Sequence, residues 1–578
     1  MMESKCRKGI QTIMNGRLRH VLFGLFGLIW LAPLAASAQD AGASTRDHFA
    51  EMRALWKRDP PPSPTPLADK DREAAFRQAA RNALRANQSF FRSRLFIDGW
   101  LKHADPHTGL IPRNLTRDRD IWNAKDSAAD NYPFMVVTAA MTDQQLLKGR
   151  MLKMLKTETR LTSRIGKMPD TWSFSKKGFS ATNPNLDSII FGSSEYMKDG
   201  LLAVTEWLGN CPWTDRLTGI LDDVWKHAPI DTPFGKIPST STEVNGEMLQ
   251  VTCRVYWMTG DQKYLEYACR IGDYYLLGNN HPTRDMKSLT LIAHGGETVS
   301  GLCELYATVN AALPEKKKKY EKPLHEMLDR ILEIGRNDHG MIYSAIYPVK
   351  GTNSGRIVDT WGYTYNAYYT VYMVDKTEKY REAVRRAMGN MKKHYTDYIW
   401  EGGSNDGFAD SIEGALNLYN REPVDTLPEW IDHEILYMFR RQKPDGVIEG
   451  WHGDGNSART WLMYALWKTQ GLTVSPWRKD VRFGATMHDG ELCISLLADK
   501  PWTGRLRFDV RRHHVQMRLP IDYPRLNQFP EWFTVDSAQQ YTLDGLAGGG
   551  KRVSGKQLHD GLPVRLEAKK ELRLNVGR

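Results

Sequence analysis

Cysteine is scarce in this chain of 578 residues, which contains six. Five of them lie beyond the first 38 residues, and no two of these show C-x-x-C spacing; they are Cys211, Cys253, Cys269, Cys303 and Cys493. An odd and scattered set of thiols argues against a disulfide framework and against a zinc site built from thiolates.

Several nucleotide-binding and nucleophile motifs are also missing. The chain has no G-x-S-x-G segment, no Walker loop and no Rossmann glycine fingerprint between a strand and a helix. These absences argue against a serine hydrolase, a P-loop NTPase and a dinucleotide-dependent enzyme, so no cofactor is expected. A basic stripe is missing too, because the lysine run at residues 316–319 is typical of a solvated helix start. We therefore expect no nucleic-acid partner.

Long apolar runs are confined to the N-terminus. Basic residues up to Arg19 precede an apolar stretch from Val21 to about Leu34, and small residues follow before Gln39. This order is typical of a secretory signal peptide, predicted as residues 1–38. No later segment approaches twenty uninterrupted apolar residues, so we expect no membrane span and a periplasmic or secreted protein. Cleavage would lower the formal net charge from +11 to about +7.

The region after the signal divides by composition. Residues 59–67 are dense in proline, so residues 39–69 are interpreted as a linker. From residue 70 to about 471, helix pairs repeat roughly every 50 to 60 residues. The segments 255–268 and 371–383 both contain an apolar helix, a turn with Asp and a second helix that begins at Lys-Tyr. About six such helical hairpins fit into this region.

Polar segments recur at the start of every second helix. They are residues 126–132, 192–195, 241–247, 294–297, 359–363, 406–410 and 451–456. An open solenoid gives no reason for this placement, whereas in a closed toroid these segments would converge on one rim. We therefore predict a mainly α fold in which residues 70–471 form a toroid of hairpins that is the catalytic domain.

Strand-like alternation replaces the helical pattern after Gly471. Apolar residues alternate over residues 506–510, 515–519 and 572–576, and Asp489-Gly490 predicts a turn. Residues 472–578 are therefore predicted to form a β-rich domain resembling a small sandwich.

His294 and Glu297 lie three residues apart at a predicted helix start. A metal site is the weakest of three interpretations, because no third ligand lies nearby in sequence, and no metal is expected. A helix cap explains Glu297 but leaves His294 unexplained. A substrate cleft explains both, since the adjacent glycines Gly295 and Gly296 suit close approach of a ligand to the backbone.

Two further segments carry acids with aromatic residues. Glu243 and Glu247 share one helix stripe, which suits either a cleft or a solvated face. Asp359 precedes Trp361 and Tyr363, and aromatic rings beside carboxylates are typical of a sugar site, although a core helix would also be rich in them.

These features together resemble the six-hairpin glycosidases of the (α/α)6-toroid class. The resemblance rests on the signal peptide, the hairpin turns such as Thr259-Gly260-Asp261, the acids at alternate helix starts and the β-rich tail. Exported glucuronidases and unsaturated glucuronyl hydrolases are the most similar in size and acid content. Some arabinofuranosidases share the turn, but their cysteine cluster is absent, since Cys303 stands alone.

The resemblance implies an exported glycoside hydrolase that cleaves a polysaccharide or oligosaccharide containing uronic acid, so the expected partner is an anionic carbohydrate. Two carboxyl groups would act as acid and base. The candidate catalytic residues are Glu243, Glu247, Glu297, Asp359 and Asp454. The candidate substrate-binding residues are His294, Arg113, Asn131, Trp122, Trp361, Tyr363, Trp451, His452 and Arg459. Two alternatives stay open: a polysaccharide lyase that acts on uronates by β-elimination, and a glycan-binding protein without catalysis.

Overall fold

The structure is a computed structural model that describes residues 70–546 and 550–578. The predicted signal peptide and linker, residues 1–38 and 39–69, lie outside the described residues. Within the described ranges, no helix combines the length and the apolar character needed to cross a membrane.

Helices dominate the described chain up to residue 469. The α-helices are α1 Lys70–Leu101, α2 Tyr132–Thr142, α3 Leu152–Thr162, α4 Leu186–Glu195, α5 Leu202–Leu208, α6 Pro212–Lys226, α7 Thr242–Thr259, α8 Gln262–Leu276, α9 Glu297–Ala312, α10 Pro314–Ile334, α11 Trp361–Asp375, α12 Glu378–His394, α13 Asn405–Tyr419, α14 Leu427–Arg441 and α15 Asn456–Thr469. Shorter helical segments are Ala124–Asn131, Gln144–Leu146, Leu147–Met151, Tyr196–Leu201, Ala293–Gly296 and Trp400–Gly403.

Alternate helices form a closed inner ring. Its members in order are α2 with the preceding segment Ala124–Asn131, α4 with α5, then α7, α9, α11, α13 and α15, and α15 packs against α2 to close it. The outer helices α8, α10, α12 and α14 each pack on the ring helix that precedes them, and α1 packs along α15. The predicted toroid of hairpins is confirmed, and the described ring has seven inner positions where about six hairpins were expected.

The difference between inner and outer helices follows from their side chains. All residues of α15 are buried, and α9 is buried over most of its length, so the inner helices are buried on every face. The outer helices such as α8 and α12 bury one face only. A ring of fully buried helices therefore requires the outer layer that the hairpins supply.

Local turn chemistry fixes the hairpins. Helix α7 ends at Gly260, whose φ of 76° lies in the left-handed region that favours glycine. Asp261 then caps α8, because its side chain accepts a hydrogen bond from the Lys263 amide at 3.1 Å. The turn that was predicted from Thr259-Gly260-Asp261 is therefore present.

Short strands lie in the loops between the toroid helices, and longer strands lie after the last toroid helix in the chain. The strands are β1 Ile121–Trp122, β2 Ser163–Ile165, β3 Met168–Pro169, β4 Trp172–Ser173, β5 Gly178–Phe179, β6 Leu289–Thr290, β7 Ala345–Tyr347, β8 Thr352–Asn353, β9 Thr473–Ser475, β10 Val481–His488, β11 Glu491–Ala498, β12 Trp502–Arg507, β13 Gln540–Asp544, β14 Lys551–Ser554, β15 Leu562–Leu566 and β16 Leu572–Gly577. Helices α16 Arg512–Val515 and α17 Gly555–Gly561 lie among the last of them.

The C-terminal strands form two antiparallel sheets. One has the order β10-β11-β16-β13-β14 and the other has the order β15-β12-β9. The turn at Asp489-Gly490 joins β10 to β11, where His488 pairs with Glu491, as predicted. Helix α1 packs against β10 as well as α15, so it connects the toroid to this β-rich region.

The strand predicted over residues 515–519 is wrong. Helix α16 ends at Val515, which is exposed, and the chain then leaves the sheets. Residues 523–530 are buried, and the contacts described below place them inside the helical ring. Met517 and Leu519 are buried but Val515 is not, so the apolar alternation of residues 515–519 does not mark one face of a strand.

Candidate functional site

The predicted polar segments meet at one end of the inner ring. Six of the seven lie at or just before the first turn of an inner helix, whereas residues 192–195 form the end of α4. Side-chain contacts join segments that are far apart in sequence. His452, before α15, has its Nε2 3.6 Å from Oδ2 of Asp130, before α2. His294, before α9, contacts carboxylates from two other inner positions. The polar residues that the sequence predicted at one rim therefore do lie near one another.

His294 lies at the centre of one carboxylate group. Its Nδ1 is 3.5 Å from Oε1 of Glu247 and 3.8 Å from Oδ2 of Asp199, and its Nε2 is 3.7 Å from Oε2 of Glu195. Burial alone would lower the pKa of His294, but Glu195 and Glu247 raise it well above its usual value. Burial also raises the pKa of Glu247 to about 7. The imidazole is thus surrounded by acids that have little access to water.

Lys198 links this group to Glu297. Its Nζ donates to Oδ1 of Asp199 at 2.5 Å and to Oε1 of Glu297 at 2.6 Å, and Gln250 donates to the other oxygen of Glu297. Although burial opposes ionisation, Lys198 lowers the pKa of Asp199. Both oxygens of Glu297 are therefore engaged in contacts within the protein, and neither is left for proton transfer.

A second acid group lies on the opposite part of the rim, around the start of α13. Asp406 accepts a hydrogen bond from Asn456 at 2.8 Å and stands between Asp359, before α11, and Asp454, before α15. Burial raises the pKa of Asp359 to about 7, with repulsion from Glu401 and Asp406 adding to it. Burial and then the charge of Asp406 raise the pKa of Asp454 to about 7.

Arg459 occupies the interior below this second group. Its guanidinium donates to Oδ1 of Asp410 at 2.8 Å and lies 3.0 Å from Oε2 of Glu413. Tyr363 donates its hydroxyl hydrogen to the same carboxylate of Glu413 at 2.8 Å. The guanidinium that the sequence assigned to a substrate carboxylate is thus already paired, and Tyr363 is a buried hydrogen-bond donor.

Arg113 is also paired within the chain. Its Nε donates to Oδ2 of Asp126 at 2.6 Å, and its Nη1 donates to Oδ2 of Asp118. Burial would raise the pKa of Asp126, but His452, Asn123 and Arg113 lower it overall. The guanidinium also lies 5.4 Å from the ring centre of Trp451, whose side chain is 67% exposed.

The predicted tryptophans differ in their access to a ligand. Trp451 is exposed beside the rim, whereas Trp122 and Trp361 are buried. The indole nitrogen of Trp361 donates to Ser411 at 2.8 Å within the helical core. Among the three, Trp451 alone presents a ring face that a sugar can reach.

The remaining predicted residues lie near these groups. Glu243 is half-buried one turn before Glu247, and burial raises its pKa. Asn131 is fully buried, and its side-chain amide has no hydrogen-bond partner within the described residues. Burial would lower the pKa of His452, but Asp130 and Asp126 raise it to about 9.

Several residues of the site were not among the candidates chosen from the sequence, although Glu195 lies in the predicted polar segment 192–195. Glu195 and Asp199 are spaced i, i+4, and this spacing could have predicted that both side chains lie on the same face of a helix. Asn527 had no such signal, because it lies far beyond the toroid in sequence. The side chain of Asn527 donates a hydrogen bond to Asp199 at 2.7 Å and accepts one from Arg459 at 2.7 Å. Its backbone N–H donates to Glu413 at 2.6 Å.

Comparison with known proteins gives matches among solved structures only, since no family model and no curated protein matches the chain. A family 76 glycoside hydrolase from a bovine Bacteroides thetaiotaomicron strain is 12% identical, with a TM-score of 0.40 over 55% of this chain and 76% of that chain. A GH127 β-arabinofuranosidase is 13% identical, with a TM-score of 0.38 over 86% and 77%. A polysaccharide lyase is 16% identical, with a TM-score of 0.34 over 47% and 88%. At these values the likeness says nothing about substrate or mechanism.

Proposed function

We propose that this chain is an exported glycoside hydrolase that uses a pair of carboxyl groups from the second acid group. The observation that supports this most directly is that Asp454 and Asp359 have pKa values raised to about 7 on either side of Asp406. Glycoside hydrolysis requires one carboxyl group that holds a proton at neutral pH beside a second that accepts one. The arrangement around α13 supplies two carboxyl groups with a raised pKa, Asp359 and Asp454, together with Asp406.

Asp454 is assigned as the general acid and Asp406 as its partner. After burial, the charge of Asp406 is the largest contribution that raises the pKa of Asp454. Asp454 would protonate the glycosidic oxygen as the bond to the anomeric carbon breaks. Asp406 would then remove a proton from the attacking water or attack the carbon itself. Asp359 is the second candidate for the acid, since its pKa is raised in the same way.

The substrate class follows from the charge of the rim. Arg113, Lys198 and Arg459 are each within ion-pair distance of carboxylates of the chain itself. A uronate would therefore find these three cations already paired with carboxylates of the chain. This favours a neutral sugar over the uronate that the sequence predicted, with the exposed ring of Trp451 available for stacking on a pyranose face.

The lyase alternative fits the geometry less well. It requires His294 or Tyr363 as the base that removes the proton at C5. The hydroxyl of Tyr363 already donates to Glu413, and burial raises its pKa well above the usual value. Asn131 or an arginine would neutralise the uronate in that mechanism. Asn131 is fully buried, and Arg113 and Arg459 are paired with Asp126 and Asp410.

A panel of neutral and uronate-containing oligosaccharides, incubated with the mature protein, tests the proposal. Products heavier by one water indicate hydrolysis, and an unsaturated product that absorbs in the near ultraviolet indicates a lyase. Asp454→Asn is expected to lower kcat by about 10² to 10⁴ with little change in the amount of folded protein, because the general acid is lost. Asp215→Asn, at the exposed start of the outer helix α6, is the matched control and should leave kcat unchanged.

Two outcomes would contradict this assignment. Full activity of Asp454→Asn would remove Asp454 from the reaction. Binding of glycans without turnover by the wild-type chain on the whole panel would favour a glycan-binding protein. Export is a separate part of the proposal, and N-terminal sequencing of protein recovered outside the cytoplasm should begin at Gln39.

A further inference from the structure

We propose that Glu195, Asp199, Glu247 and His294 bind a divalent transition-metal cation, Zn²⁺ or Mn²⁺. This metal site goes beyond the proposed hydrolase function and does not depend on it. The sequence predicted no metal because no third ligand lies near His294 along the chain. The structure brings three carboxylates to it from two other inner positions of the ring.

The spacing of the donor atoms fits a common ligand. One donor atom from each of the four side chains lies within 4.8 Å of all the others. The distances of 3.5 and 3.8 Å from Nδ1 of His294 to Glu247 and Asp199 are long for hydrogen bonds. Ligands about 2.1 Å from one cation in tetrahedral geometry are separated by about 3.4 Å. The separations of Nδ1 of His294 from Glu247 and Asp199 are therefore close to the spacing of ligands around one ion, and all four donor atoms lie within 4.8 Å of one another.

Several of the donor atoms in this cluster are buried without a hydrogen-bond partner, which is a second observation in favour of a bound cation. Both oxygens of Glu247, Oδ2 of Asp199 and Nδ1 of His294 are buried and lack hydrogen-bond partners within the described residues. Glu247 has no exposed surface at all. Buried carboxylate oxygens without partners are costly, and a cation would satisfy them together.

Hydrogen bonds from neighbouring side chains engage carboxylate oxygens around the cluster and leave the ligand atoms of the cluster unengaged. Lys198 and Asn527 both donate to Oδ1 of Asp199, which leaves its Oδ2 for the cluster. Lys198 and Gln250 satisfy the two oxygens of Glu297, so this acid stays outside the ligand set. The surrounding donors thus orient the ligands in the way that outer-shell partners orient metal ligands.

The chemistry of the donors selects the ion. One imidazole nitrogen with carboxylate oxygens suits Zn²⁺ and Mn²⁺, whereas Ca²⁺ and Mg²⁺ prefer sites made of oxygen alone. The side chain of His294 is 34% exposed, so an ion has a path to the cluster from the rim. Ala293, with a φ of 49°, holds the backbone before His294 in the left-handed region that disfavours alanine.

Direct binding measurements test the site without any substrate. The mature protein is stripped with a chelator, dialysed, and titrated by calorimetry with ZnCl₂ or MnCl₂, with MgCl₂ and CaCl₂ for comparison. We expect one Zn²⁺ or Mn²⁺ per chain, a higher thermal midpoint, and weaker binding of Mg²⁺ and Ca²⁺. Glu247→Gln, which keeps the volume of the side chain, should weaken binding by about 100-fold. His294→Ala should weaken it at least as much.

Two controls separate this proposal from misfolding and from the catalytic proposal. His433→Ala removes a histidine on the outer helix α14 and should bind the ion as wild type does. Asp454→Asn should lose turnover but keep the metal, so the two proposals fail independently. Failure of the stripped wild-type protein to bind one Zn²⁺ or Mn²⁺ per chain in the titration would overturn the metal site. So would an affinity of a folded Glu247→Gln variant for the ion that equals the wild-type affinity.

Discussion

Arg459 illustrates how the toroid holds charge in its interior. The guanidinium is buried, and it contacts Glu413, which has no exposed surface, together with Asp410 and Asn527. Burial of charges is costly, and pairing with hydrogen bonds offsets that cost only while every partner is present. The stability of this region therefore depends on single side chains.

Replacing Arg459 by Met should destabilise the protein by about 3 to 5 kcal/mol, because Glu413 is left buried without its cation. The free energy of unfolding in urea measures the change. Lys556→Met breaks an exposed ion pair with Asp560 and should leave the midpoint unchanged. Equal effects of the two substitutions would contradict the importance of burial here.

Asp375, at the end of α11, should make stability depend on acid pH. Burial would raise its pKa, but hydrogen bonds from His325, Lys317 and Tyr306 lower it from 3.8 to about 2. Since the folded-state pKa is depressed, the stabilisation is fully present above about pH 4 and is lost as the pH falls toward about 2. Because the carboxylate is partly solvated, we expect a contribution of about 1 kcal/mol.

Urea unfolding of wild type and Asp375→Asn at pH 6 and pH 2.5 checks this effect. The difference in unfolding free energy between the two proteins should shrink at the lower pH. A difference that stays constant between the two pH values would show that the Asp375 carboxylate is not the cause.

At the scale of elements, glycine allows the inner helices to approach closely. A Cβ added to Gly414 on α13 would lie 2.6 Å from Cα of Gly362 on α11. A Cβ added to Gly301 on α9 would lie 2.5 Å from the carbonyl oxygen of Gly246 on α7. These backbone contacts hold the helix starts, and the acids they carry, near one another.

Gly414→Ala is therefore expected to destabilise the protein by about 1 to 3 kcal/mol through overpacking. Gly389 is the matched control, because it is exposed in the outer helix α12 and an added Cβ would meet nothing within 4 Å. Gly389→Ala should stabilise by about 0.5 to 1 kcal/mol, since alanine favours the helix. Thermal midpoints of the two variants measure both effects, and shifts in the same direction would contradict the close-packing explanation.

At the scale of the whole molecule, residues 522–528 form a plug segment inside the ring. Arg525 donates to Oε1 of Glu206 at 2.8 Å, near the end of α5. Tyr523 donates to Glu304 of α9 at 3.2 Å, and Arg254 of α7 donates to the carbonyl oxygen of Leu526 at 3.3 Å. The first residues of the plug segment contact the ends of inner helices that lie away from the rim. Asn527, near the end of the segment, contacts the acids of the site.

We expect the toroid and the β-rich region to unfold together, because the plug segment shares buried ion pairs with several inner helices. Differential scanning calorimetry of the mature protein should show one transition over both regions. Arg525→Met should lower this transition as a whole, since Glu206 loses its buried partner. Two separated transitions, with only the later strands affected, would show that the regions are independent.

Much of the fold was predictable from local pattern. Helical periodicity and turns such as Gly260-Asp261 act over a few residues, so sequence reveals them directly. The polar starts of alternate helices also predicted a shared rim, since a closed ring places them together. The strand predicted at 515–519 failed because three alternating apolar residues are too short a pattern: Val515 ends a helix and is exposed, and only Met517 and Leu519 are buried.

The sequence by itself determined the hairpin repeat, the change from helices to strands near residue 471 and the set of acids available at one rim. Only the tertiary structure decided which of these acids meet. It placed Glu195 and Asp199 beside His294, left Asp359 and Asp454 around Asp406, and brought Asn527 to the floor of the site. The physical reason is that contacts across the ring join residues far apart along the chain, where local periodicity carries no information.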